Sequence, residues 1–342
     1  MHMADALVSP AVGLSMAAVS VAAICVSVAG TGKDEIGEAK VPIMGVAGAL
    51  VFAAQMINFA IPATGSSGHI GGGVLLAGLL GGTPAFLSMT AVVIIQCLFF
   101  ADGGLLALGC NIFNLGVVPC LIVYPLVFRP IIKRTISMKR LSIASVAASV
   151  LSLELGAFCV VAQTRLSGIA LLPFGAFAAL MLPIHLAIGA VEGVVTAAAL
   201  CFIHRMRPEI IEATRSGARL GRTPAKSIIL ILMVAAIAAG GVLSLFASDK
   251  PDGLEWAVGR VTEGEDAAAA MPEPGGDIRD AAAAAQENTA VMPDYAFADD
   301  PENAAGTSVA GIVGAAATFA AAGLAGLVIS VVKKRKRVVT DV

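Results

Sequence analysis

MHMADALVSPAVGLSMAAVSVAAICVSVAG, residues 1–30, sets a cluster of nitrogen donors directly ahead of an apolar run, 8–29, long enough to cross a bilayer. A free amine on Met1, the backbone nitrogen of His2 and the His2 imidazole follow one another along the chain. Together they can close a five-membered and then a six-membered ring around one small divalent cation. Nitrogen donors in a plane suit Ni²⁺ or Cu²⁺, and Co²⁺ less strictly. A second-position histidine also arises by chance, so a fourth donor must come from elsewhere, and the chain has three other histidines: His69, His185 and His204. The opening segment lacks a positive leader and carries Asp5, so it is expected to stay as a first helix and not to be cleaved as a signal peptide.

Working outward, the composition extends the membrane reading to the whole chain. Hydrophobic residues make up 58% of the 342, charged residues 13%, and the mean hydropathy is +0.89. A soluble domain carries about 25% charged residues. Apolar segments lie near 8–29, 41–61, 69–82, 84–101, 104–128, 141–163, 169–203, 226–247 and 308–332. Their Gly- and Ala-rich runs lack the alternation of a membrane β-barrel and suit helices packed through small side chains. The fold class is therefore an all-α polytopic membrane protein: a seven-segment bundle followed by a C-terminal two-helix module. All six cysteines sit in apolar segments without a CxxC pair, and they read as small buried hydrophobes.

Charge fixes an expected orientation. Connectors 30–40, 129–140, 204–226 and 333–342 hold 18 of the 22 basic residues, including KKRKR at 333–337. The positive-inside rule puts those connectors in the cytoplasm, the N-terminus outside and the C-terminus inside. KKRKR then anchors a span and does not mark a nucleic-acid partner. Residues 248–306 become one long outer loop with 14 acids and three bases, expected to be largely disordered beyond its start, SDKPDGLEWAVGRV. The division read from these breaks is 1–205 membrane domain, 206–225 cytoplasmic linker and 226–342 two-helix module with outer loop 248–306.

In that orientation PATGSSG leads into His69 on the same side as His2. Gly65 and Gly68 allow the loop to fold back on the N-terminus. The candidate metal ligands are thus Met1, His2 and His69. Gln55 and Asn58 end the second segment nearby and, with Ser66 and Ser67, are candidates for hydrogen-bonding behind the ligands. Asn111 and Asn114 share a helix face and read as packing contacts. His185 and Glu192, seven residues apart, lie too far apart along the helix to share one ion, at ~1.5 Å rise per residue. Glu154 falls near mid-membrane. HExxH, GxSxG and GxxxxGK[ST] are all lacking, so no sequence signature of a metalloprotease, hydrolase or ATPase site is present.

MHMADALVSP, FAAQMINF…SGHIGGG, ADGGLLALGCNIFNLG and IHLAIGAVEGVVTAAAL, in this order over roughly 1–205, resemble the CbiM/NikM family, the substrate-binding membrane subunits of energy-coupling-factor (ECF) cobalt and nickel transporters. The tail from 226, with PDGLEW at 251–256, resembles the small N component fused in NikMN-type proteins. The resemblance implies an ECF-type seven-helix core and the ligands Met1, His2 and His69. It implies Ni²⁺ or Co²⁺ as transported ligand without a permanent cofactor, and partners in the membrane: a transmembrane coupling subunit and cytoplasmic ATPases. Ala18 and Ala22, four apart on the first helix, are candidates for the coupling face. Relatives often read His-Ile-Pro-Asp or His-Ile-Met-Glu where this chain has His2-Met3-Ala4-Asp5, which leaves the choice of metal open. Cobalt would supply cobalamin synthesis. The competing expectation is a self-driven carrier or channel using Glu154, His185 and Glu192.

Overall fold

A computed structural model describes residues 2–30, 40–170, 172–216, 226–262, 277–300 and 302–340. Each of the nine apolar segments contains one main helix. These are α1 (Pro10–Gly30), α2 (Val41–Gln55), α3 (Gly73–Leu80), α4 (Gly82–Phe100), α5 (Leu108–Lys133), α6 (Met138–Ser167), α7 (Phe174–Met206), α9 (Lys226–Gly241) and α12 (Ala304–Thr340). Between them lie α8 (Pro208–Ser216), α10 (Gly253–Val261) and α11 (Asp277–Thr289). Six helices are long and apolar enough to cross a membrane among the described residues; α2 and Ser227–Gly241 of α9 are shorter apolar helices. The chain is a multi-pass α-helical membrane protein.

Small residues set the packing. α6 and α7 form a close antiparallel pair in which a Cβ on Gly193 would fall 2.7 Å from the backbone of Val146. Only glycine permits that approach. α9 and α12 cross at Gly240 and Gly311, where a Cβ on Gly311 would lie 2.1 Å from the Gly240 carbonyl oxygen. The two C-terminal helices pack along α2, and α12 also meets α4, so the second module is built into the bundle. Within α5, Pro119 and Pro125 interrupt the ordinary ladder and Phe113–Phe128 winds as a π-helix. α1 is the least covered span, with Leu14, Val21 and Val26 exposed, as lipid or a partner helix requires.

The shortest helix explains two buried charges. α3 has eight residues, all buried, and stops halfway through the bundle. Its end groups must find partners inside the protein. Glu192 on α7 accepts the Gly71 and Gly72 amides at 2.6 and 3.1 Å, ahead of its N-terminus. At the other end Lys40 Nζ donates to the Leu80 carbonyl at 3.1 Å and Thr214 Oγ1 to Leu79 at 2.9 Å. The sequence suggests a span beginning at 69, but 67–72 is not helical: β2 (Ser67–Gly68) pairs antiparallel with β1 (Phe59–Ala60), Gly72 takes a left-handed conformation ahead of α3, and α2 ends at Gln55.

The 248–306 loop is ordered at its start, as its punctuated sequence suggests, and departs from the expected disorder over 277–300. Asp252 caps α10 in a reciprocal box with Glu255. The alanine run 281–285 favours α11. Gln286 on α11 then donates to the carbonyls of Cys97 and Gly103 at 3.0 and 2.7 Å, and the Val291 and Met292 amides both reach Phe99 O. Buried polar docking of this kind overrides an acidic composition.

Candidate metal centre

The N-terminal strand is held before it becomes helix. Met3 is fully buried, and Leu7 and Val8 nearly so. Burying one such side chain stabilises by about 1.5–3 kcal/mol. Asn111 receives the Met3 amide on Oδ1 at 2.8 Å and donates Nδ2 to the Met3 carbonyl at 3.1 Å. Asp5 Oδ1 accepts the Ala107 amide at 2.9 Å. These contacts leave His2 no choice of position.

His2 and His69 come together as that position requires: their rings stack with centroids 5.5 Å apart and planes 15° from parallel. Met1 lies outside the described residues. In a planar site whose other corners are the Met1 amine, the His2 amide and the His2 ring, the His69 ring would take the corner next to the His2 ring, and metal–nitrogen bonds of about 2 Å would put the two centroids roughly 4.4 Å apart. The observed spacing is about 1 Å wider than that. Among the described residues no three His, Cys, Asp or Glu side chains form a metal-holding group.

A chain of amides decides which nitrogen each ring offers. Gln55 Nε2 donates to the Gly71 carbonyl at 2.7 Å, which turns Gln55 Oε1 towards Gln96 Nε2, also at 2.7 Å. Gln96 Oε1 is then an acceptor, and it lies 3.1 Å from His2 Nε2. His2 therefore carries its proton on Nε2 and presents a lone pair on Nδ1, the nitrogen that closes a six-membered chelate ring with its own amide. His69 Nδ1 donates to the Ile70 carbonyl at 3.1 Å, leaving Nε2 as its donor atom. Fixing tautomers in this way is what outer hydrogen bonds do for metal-binding imidazoles.

Electrostatics match. Burial, the largest cause, lowers the His2 pKa against the opposing pull of Asp102. His69 is pushed down to about 3, by burial first and then by neighbouring positive charge including His2. Both rings are neutral at pH 7. Asp102 Oδ1 stands 3.2 Å from His2 Nδ1, and its Oδ2 accepts the Tyr295 hydroxyl at 2.5 Å. Burial and Asp102 raise the Tyr295 pKa, which keeps that donor protonated.

The other sequence candidates fall variously around this centre. Gln55 is the anchor of the amide chain. Asn58 lines the vestibule that His2 and His69 also border; its Oδ1 is buried without a hydrogen-bond partner, and its carbonyl accepts the Ser248 amide at 2.8 Å. Ser66 and Ser67 turn towards the C-terminal module: Ser67 Oγ donates to Lys250 O at 2.7 Å and its amide to Pro251 O at 2.8 Å. Ala18 and Ala22 lie exposed on α1, away from the centre. Asn111, read from sequence as packing, is a clamp on Met3, whereas Asn114 pairs with Gln163 at 2.9 and 3.1 Å. Glu192 spends both oxygens on Gly71 and Gly72, and His185 Nδ1 donates to Met181 O at 2.8 Å. Glu154 Oε1 is buried without a hydrogen-bond partner. Sequence reasoning missed Gln96, Asp102, Tyr295 and Asp252; the polar positions inside α4 and its ADGG exit were the available signal for the first two.

Residues 2–210 match the family described as the cobalt uptake substrate-specific transmembrane region, and residues 226–331 match the PDGLE domain. The chain belongs to the cobalt-uptake family. A relative from Haloquadratum walsbyi, named a metal transport protein, is 37% identical over 52% of this chain and 79% of its own length. The fused nickel transport protein NikMN of Rhodobacter capsulatus is 28% identical over 95% of this chain and 96% of its own. A crystal structure of a truncated transition metal transporter superposes with a TM-score of 0.53 at 26% identity, covering 60% of this chain and 99% of that one. The family match thus spans the segment that carries His2, α1 to α7 with His69, and the start of α8, while the PDGLE match takes in α9, α10, α11 and most of α12.

Proposed function

We propose that this protein is the substrate-capture membrane subunit of an ECF-type importer for Ni²⁺ or Co²⁺. The ion is held by the Met1 amine, the His2 amide and Nδ1, and His69 Nε2. The observation that carries this reading is the lone-pair arrangement around His2: Nδ1 and Asp102 Oδ1, both acceptors, face one another at 3.2 Å. Such a pair repels unless a proton or cation intervenes, and burial disfavours the proton. The stacked His69 ring supplies a further donor on the same side.

In this reading the centre faces outward, because the basic connectors lie at the opposite ends of the spans. Residues 1–205 capture the ion, 206–225 form the cytoplasmic link, and 226–342 add the N-component-like module. Without a P-loop in its sequence, the subunit draws on cytoplasmic ATPases through a transmembrane coupling subunit that docks on the exposed Ala18–Ala22 face of α1. Small residues at that face allow close helix contact in lipid. The test is metal uptake and metal binding by His2→Ala and His69→Ala. Loss of both is expected, and wild-type binding by both variants would refute the ligand set.

A further inference from the structure

The second module reaches the centre through one acidic residue. Ser67 binds the Lys250–Pro251 main chain and the Ser248 amide binds Asn58 O, so the 248–252 segment lies as a third edge along the loop that carries His69. Just beyond, Gly253 packs on His185, where a Cβ would come 3.1 Å from Cε1. This seats Asp252 between two spaces. One is the vestibule of about 840 Å³, shared with His2 and Asp102. The other is an inner cavity of about 10 Å³, room for one water, lined by His69, His185, Gly71 and Asp252 among others. Among the described residues, His69 and Asp252 are the two that line both.

The geometry points to Asp252 as the counter-charge of the cation site, a positioning and affinity-determining carboxylate supplied by the PDGLE segment. This rests on the ligand set proposed above. The charge balance shows what it adds. A divalent cation bound by a neutral amine, one deprotonated amide and two neutral imidazoles leaves a net charge of +1 in a partly buried site. Asp102 can offset that charge from the His2 side, and Asp252, bordering the same spaces as His69, makes the surroundings net negative and strengthens the hold on the cation. Asp252 Oδ1 is meanwhile held by the Leu254 and Glu255 amides, both at 2.8 Å, which fixes the carboxylate as a part of the α10 cap.

That double use gives a clean test, because asparagine caps helices about as well as aspartate but carries no charge. Full-length protein is purified in nanodiscs, loaded with Ni²⁺ or with Co²⁺, and ion release into excess chelator is timed for wild type, Asp252→Asn, Asp252→Ala and His69→Ala. Asp252→Asn is expected to keep the wild-type melting temperature and the position of the metal's visible absorption band, yet to release the ion about tenfold faster or more, as removal of a unit charge from the wall of the same cavity implies. Asp252→Ala is expected to release equally fast and to melt lower as well. Wild-type release by Asp252→Asn, with loss confined to Asp252→Ala, would overturn the proposal and leave only a cap. A displaced absorption band in Asp252→Asn would also overturn it, in favour of direct ligation. Wild-type binding by His69→Ala would instead defeat the underlying ligand set, a separate outcome.

Discussion

Gln96→Leu is the substitution that isolates the amide chain. Leucine nearly fills the volume but can neither donate to Gln55 Oε1 nor accept from His2 Nε2. Two buried hydrogen bonds vanish at about 0.5–1.5 kcal/mol each, and the stranded Gln55 oxygen adds a desolvation penalty of about 1–3 kcal/mol. Stability should therefore fall by roughly 2–6 kcal/mol, large against a typical domain stability of about 5–15 kcal/mol. The second consequence is specific. Without the Gln96 acceptor the His2 proton moves to Nδ1 and donates to Asp102, so the lone pair the chelate needs is lost. Affinity should then drop by about 10–100-fold, as when other outer partners of metal ligands are removed. Isothermal titration of purified protein with Ni²⁺ and with Co²⁺, at a temperature where circular dichroism shows the variant folded, separates the two effects. A variant that melts lower but binds with wild-type affinity would refute the tautomer argument.

Asn111→Ala should weaken metal binding about tenfold without touching a ligand, because it frees Met3 from a two-bond clamp; titration calorimetry reads it. One extra residue ahead of Met1 should abolish uptake by moving the amine, which isotope uptake in cells would show. Ala18→Leu with Ala22→Leu should leave metal binding intact and reduce uptake, measured by comparing purified protein with cells carrying the partner subunits. For pH, the His69 pKa of about 3 in the folded chain lies below its ordinary 6.5. The unfolded state therefore binds the proton more readily, and apo stability should fall as pH drops from 6.5 towards 3, by at most about 1.4 kcal/mol per pH unit. In His69→Ala that slope should be shallower in thermal melts.

Much of this was legible because a bilayer imposes a coarse code. Nine apolar runs and the placement of basic residues give nine helices in sequence, and His2 and His69 fall at the same end. The boundary between chain and helix at 56–72 was not legible, since it depends on backbone bonds to Pro251 and Ser248, far away in sequence. Glu192 read from sequence as sharing a helix face with His185, too far from it to share an ion, and with Glu154 as part of a competing carrier face; its role emerges only with α3, whose leading amides need an anion. Composition hid α11 as well, because Asp280 and Glu287 are exposed while Gln286 and Arg279 make the hydrogen bonds that hold it. Asp252 reads locally as a helix cap, which it is, and only the fold reveals that the same carboxylate borders the space beside His69.

The central claim is that His2 and His69 grip one ion together. Equilibrium dialysis of the purified full-length protein against Ni²⁺ and Co²⁺, with the bound metal counted by mass spectrometry, tests it most directly. About one tightly held ion per chain is predicted for the wild type, and none for either His2→Ala or His69→Ala. An ion retained at full stoichiometry by both variants would contradict the account.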